Sequence, residues 1–185
     1  MGSLGQGPRL ALESGGDDMS GTTPAVIRMQ ILSRPELLAP VRSMVLSLSE
    51  RFGFDEVESG HLALAVDEAL ANVIRHGYDS SPDGRIWISF HQINDPRPCF
   101  RIEIEDEGTQ VDPESILPRR LEDVRPGGLG VHIMREVTDT CDFEPRKPGG
   151  MRVILQKSPG EGHRDPRPES SSSSDEAGPE PERSQ

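Results

Sequence analysis

The chain has 185 residues and a formal net charge of −12 at pH 7, a length that suits one domain whose core needs neither a metal nor disulfides. The acidic balance and the lack of a dense Lys/Arg cluster argue against direct nucleic acid binding through the phosphate backbone. No apolar run approaches the roughly 20 residues that cross a bilayer, and the first residues lack the basic segment and apolar run of a secretory leader, so the cytoplasm is expected and a membrane is not. Cys99 and Cys141 lie far apart and outside any CxxC pair, as buried or half-buried thiols of a reducing compartment would.

Residues 1–24 are rich in Gly, Ser and Asp without periodicity and read as a disordered N-terminal arm. "AVIRMQIL" at 25–32 alternates as a strand, with Val26 or Ile27 beginning one side and Arg28 and Gln30 on the other. Leu38, Val41, Val45, Leu48 and Phe52 then follow the helical period, with Pro40 in the first turn and Gly53 as the stop. Asp55 and Glu58 have the spacing of a capping box, which starts a long helix near Glu56 that leaves at Gly77. Its apolar stripe is Leu62, Val66, Leu70 and Val73, while Glu68 and Asn72 share a different face one turn apart.

After the turn at 79–85, "IWISFHQI" and "CFRIEIED" alternate as two antiparallel strands joined by "NDPRP". Residues 109–126 hold a short helix beginning at Asp112 or Pro113 and then a segment expected to be mobile. "GGLGVHIMREVTD" leads from glycines into a helix whose core positions are Val131, Met134 and either Val137 or Ile133. Closing strands are expected at about 140–144 and 151–156 around the turn "PRKPGG", and residues 158–185 read as a disordered acidic Ser/Pro-rich tail. The order predicts one domain over 25–157. It is an α/β two-layer sandwich of the α+β class, a mixed, largely antiparallel sheet with helices on one face.

Polar residues on a helix surface account for Glu68 and Asn72 taken alone. Their order matters more: they are followed by Asp106 with Gly108 two residues on, and then by Gly127, Gly128 and Gly130 before a helix. Glycines there let backbone N–H groups converge on a phosphate at a helix N-terminus, although a tight turn alone would also use them. No GxxxxGK[ST] run and no zinc-ligand spacing occur.

The stretches "LAVDEALANVIRHGY", "IEIEDEGTQVDP" and "GGLGVHIMREVTD" resemble the N box and the two glycine boxes of the GHKL, or Bergerat-fold, family, which includes the ATP-binding domains of histidine kinases, DNA gyrase B and MutL. Within it the likeness is to the anti-sigma-factor serine-protein kinase branch, over roughly Ala25 to Gln156. The resemblance implies a histidine kinase-like ATPase domain that uses ATP and Mg2+. Glu68 would then be the general base toward a protein serine hydroxyl and Asn72 the magnesium ligand, with Arg75 and His76 near the phosphates. Asp106 would accept the adenine amino group, Gly108 would let the chain approach the base, and Gly127, Gly128, Leu129, Gly130 and Val131 would face the phosphates. Where the family usually has a second glycine in its first box this chain has Gln110. Residues 114–126, with Arg119, Arg120 and Arg125, resemble a short ATP lid. The function implied is a serine/threonine protein kinase that binds a sigma factor and phosphorylates a small anti-sigma-factor antagonist, as a homodimer. The alternative is a non-catalytic, ATP-responsive interaction module.

Overall fold

The computed structural model describes residues 24–94, 97–116 and 129–160. The expected arm and tail over 1–23 and 161–185 lie outside the described residues, as do residues 117–128 with Gly127, Gly128 and the three lid arginines. The elements follow in the order β1 (Ile27–Leu32), α1 (Leu38–Arg51), α2 (Glu56–Asn72), β2 (Arg85–Ile93), β3 (Cys99–Asp106), α3 (Leu129–Val137), β4 (Thr140–Pro145) and β5 (Met151–Lys157). A 3-10 turn at Pro35–Leu37 precedes α1, and another at Pro113–Ser115 is started by the Asp112 side chain, which accepts the Glu114 N–H at 3.0 Å.

The N-terminus of α2 forms as its spacing predicts. Asp55 Oδ1 accepts the Glu58 N–H at 2.8 Å and Glu58 Oε2 accepts the Asp55 N–H at 3.2 Å, a reciprocal cap that stabilises a helix by about 1 kcal/mol. The other carboxylate oxygen of Glu58 accepts the N–H of Gly160 at 2.9 Å, which fixes the chain beyond β5 to the start of α2. Before α2, Gly53 ends α1 in the left-handed region, at φ 89°.

The expected single helix to Gly77 is corrected at its end. The α-helix stops at Asn72 and widens into a π-turn over Val73–Gly77, where the Tyr78 N–H reaches the Val73 carbonyl five residues back at 3.0 Å. Tyr78 is held there by its hydroxyl, which donates to the Arg85 carbonyl and accepts the Glu107 N–H at 2.9 Å.

The strands form one sheet in the order β1-β2-β3-β5-β4. A mixed, largely antiparallel sheet was expected, and all four pairings are antiparallel, including β3 with β5, which brings the C-terminal hairpin beside the strand carrying Asp106. Ile86, Ile88 and Phe90 of β2, Phe100, Ile102 and Ile104 of β3, and Val153 and Leu155 of β5 are buried with Leu62, Val66 and Leu70 of α2 and Met134 of α3. Because alternate strand residues point to opposite faces, this one-sided core puts the helices on one face. Val131 and Val137 pack on it from α3, which settles the choice against Ile133, and Ile27 rather than Val26 begins the inward row of β1.

Candidate functional site

The site residues line up along α2 and its π-turn. At one end the Glu68 carboxylate lies against Gly130 in the first turn of α3; a methyl group added at Gly130 would overlap its Oε2 atom. Asn72 follows one turn later and by helical spacing shares the face of Glu68. Both are half-buried. The intervening face is kept clear of Asp67, whose Oδ2 accepts from Arg42 Nε and so ties α2 to α1 instead.

At the other end of the π-turn, Gly77 packs against the end of β3. A Cβ on Gly77 would stand 3.6 Å from Asp106 Oδ1, and one on Gly108 would overlap the Gly77 carbonyl. The Thr109 N–H donates to that same carbonyl at 2.8 Å, so the chain after β3 is laid directly on the end of the helix. Gly108 is therefore required by close approach of backbone to backbone, whereas a side-chain carbon at Gly77 would make only ordinary contact. Arg75 and His76 are exposed on the π-turn, Leu129 is exposed at the start of α3, and Val131 is half-buried behind it.

Asp106 is the one buried carboxylate along this line, 2% exposed. Its Oδ1 accepts the Gly108 N–H at 2.7 Å. Burial pushes its pKa above the usual carboxylate value, and the backbone bonds from Gly108 and Met151 and the nearby Arg146 guanidinium oppose that push. A carboxylate so enclosed, with glycines on either side of it, suits an amino-group donor carried by a flat ring. Among the described residues no cluster of three or more His, Cys, Asp or Glu side chains could hold a metal by itself. This donor set fits a magnesium ion that arrives on phosphates and takes one neutral protein ligand.

The C-terminal hairpin forms where the sequence predicts it, but sequence reasoning missed its place beside Asp106. Gly150, at φ +83°, lies so close to Asp106 that any Cβ there would overlap the Asp106 carbonyl oxygen. Arg146 donates through Nη1 to that carbonyl, and Gln110 Nε2 donates to the Arg146 carbonyl at 3.2 Å. "PRKPGG" announces a turn, but nothing local to it names a partner 40 residues away. A shallow groove of about 530 Å³ lies on the opposite face of the sheet, lined among others by Arg28, Trp87, His91 and Glu103.

Comparison with known proteins identifies the domain. A profile of the histidine kinase-like ATPase domain matches residues 31–157. The serine-protein kinase RsbW of Listeria innocua is 27% identical over 139 residues, covering 71% of this chain and 85% of that protein. The serine-protein kinase RsbW of Bacillus subtilis is 26% identical over 143 residues, covering 71% of this chain and 84% of its own length. The crystal structure of the RsbU and RsbW domains of a Mycobacterium tuberculosis protein superposes with a TM-score of 0.50 at 15% identity, over 72% of this chain and 32% of that one, and so shares the fold. No helix among the described residues is long and apolar enough to cross a membrane. The match covers strands β2 to β5, the three helices and every described residue of the line from Gly130 to Asp106: the chain belongs to the histidine kinase-like ATPase domain family.

Proposed function

We propose that the protein is an ATP-dependent serine/threonine protein kinase and anti-sigma factor, which binds a sigma factor and phosphorylates a small anti-sigma-factor antagonist. The observation that carries this reading is the contact of Glu68 with Gly130. It sets a carboxylate beside the first turn of α3, where phosphates are favoured by the helix terminus.

In this reading Asp106 accepts the adenine amino group, and Gly77 and Gly108 leave the backbone free to approach the base. Asn72 offers its amide oxygen to magnesium, which ligates a hard cation without adding negative charge to a phosphate site. The bound nucleotide supplies the phosphoryl group, and Glu68 orients the incoming serine hydroxyl and accepts its proton. Gly130 and Val131 belong to the phosphate end, with Gly127, Gly128 and Leu129 beside them in sequence; Arg75 and His76 are exposed polar side chains that follow Asn72 in the chain. Dimerisation and a cytoplasmic setting, as the sequence implies, complete the proposal. The RsbW relatives, whose names describe serine-protein kinases, support it.

The test is incubation with labelled Mg-ATP and candidate antagonist proteins encoded beside this chain. Wild type transfers label to a serine or threonine of one of them, and Glu68→Ala lowers the rate by about 10²–10⁴-fold while nucleotide still binds. Binding of nucleotide and partner with no transfer by wild type defeats the kinase and leaves a nucleotide-responsive interaction module.

A further inference from the structure

The first glycine box ends in Gln110 rather than glycine, and that side chain is engaged: it donates to the carbonyl of Arg146 in the turn between β4 and β5. Arg146 is itself held on several sides. Its Nε lies 3.2 Å from Glu105 Oε1, its guanidinium stands 5.5 Å from the centre of the Trp87 ring, and its backbone N–H donates to the Gly150 carbonyl at 3.0 Å. From this position Nη1 donates to the main-chain carbonyl of Asp106.

Glu105 and Trp87 point away from the helices, and Asp106, the next residue on β3, points toward them. Arg146 therefore reaches Asp106 from beneath the sheet, through the backbone, while the carboxylate faces the site above. Gly150 makes the approach possible, since any side chain there would collide with the same carbonyl. Fixing a peptide unit fixes the direction in which its side chain leaves, and a hydrogen bond to a ligand weakens steeply as its angle departs from linear.

We propose that Arg146, braced by Gln110, Glu105 and Trp87, is a positioning residue for the adenine-recognising carboxylate of Asp106. This rests on the reading of Asp106 given above. Arg146 never meets the nucleotide; it sets how well the site distinguishes an adenine from a purine that lacks the amino group. Gln110, in this view, replaces the flexibility of a glycine with a tether to the hairpin. The guanidinium is matched to the task because its planar fork serves the Glu105 carboxylate and the Asp106 carbonyl at once while its face meets an aromatic ring.

The experiment measures equilibrium binding of ATP and of purine riboside triphosphate, which has hydrogen in place of the 6-amino group, to the full chain by calorimetry. Wild type is expected to prefer ATP by about tenfold or more, and Arg146→Ala to reduce that preference at least about fivefold. Gln110→Ala alters an exposed side chain that leaves the fold intact, and reduces the preference about two- to threefold. Should Arg146→Ala weaken both nucleotides equally, the residue is a prop of the fold and the proposal is overturned; if that variant does not fold, an unchanged preference in Gln110→Ala overturns it instead. A wild type with no preference overturns the assignment of Asp106 as well, so the two failures are told apart.

Discussion

The two faces of β3 are built from alternate residues of one eight-residue strand, yet they obey different physics. Phe100, Ile102 and Ile104 face the helices and are at most 1% exposed. Arg101, Glu103 and Glu105 face the other way, where Arg101 pairs with Glu103 and Glu105 pairs with both Arg146 and Arg152. The inward column owes its stability to excluded water and close packing, and the outward one to charges that solvent partly screens. The inward column ends in Asp106, a carboxylate where a fourth apolar residue would continue the pattern. The site is thus the place where the core stops being a core, and this is the position that Arg146 steadies from the outward side.

The largest effect on stability should come from the inward column. Ile104→Ala removes a fully buried side chain between Ile88 and Val153 and is expected to cost roughly 2–5 kcal/mol in denaturant unfolding. A loss no larger than that of an exposed residue would erase the distinction between the faces.

Asp106→Asn should act in the opposite sense. Because burial raises the folded-state pKa of Asp106, its folded state binds the proton more readily than the unfolded chain does. Its contribution is fullest below the unfolded value of about 3.8 and is lost as pH rises through the folded value. The asparagine variant, which carries no ionisation there, should melt higher than wild type at neutral pH in the absence of nucleotide. The gap should close as pH falls through that window, while ATP affinity drops about tenfold or more. A variant less stable than wild type at neutral pH would show that the charged carboxylate supports the fold rather than the site.

The smallest effect belongs to the outward face. Glu144 lies 3.7 Å from Arg152 with its side chain half exposed, and Glu144→Gln should change stability by no more than about 0.5 kcal/mol. Cys141 adds a chemical check at the edge strand. Burial pushes its thiol up to about 11, so alkylation at pH 8 should run well behind that of a free thiol.

What the sequence made legible follows from range. The capping box of α2 is a relation between residues three apart, the alternation of β2 and β3 repeats every second residue, and both survive in the structure. The line from Glu68 to Asn72 was readable for the same reason. The π-turn after Asn72 was not, because over five residues a period of 3.6 cannot be told from a wider one, and what widens it is Tyr78 reaching across to Arg85 and Glu107. The place of β5 between β3 and β4 is set by pairing across some 50 residues. Without that placement Arg146 and Gly150 had no visible partner, and their importance to Asp106 stayed hidden behind an ordinary turn motif.

The bond between Gly160 and Glu58 has a practical side. With a rise of 1.5 Å per helical residue, Glu58 stands about 15 Å from Glu68 and about 21 Å from Asn72 along α2, so the chain leaves the domain at the far end of the helix from its polar working face. A dye, an affinity handle or a surface-immobilisation linker attached at Gly160 is thereby anchored at the end of α2 away from Glu68 and Asn72. Such a probe can report on partner capture in real time without standing in the doorway.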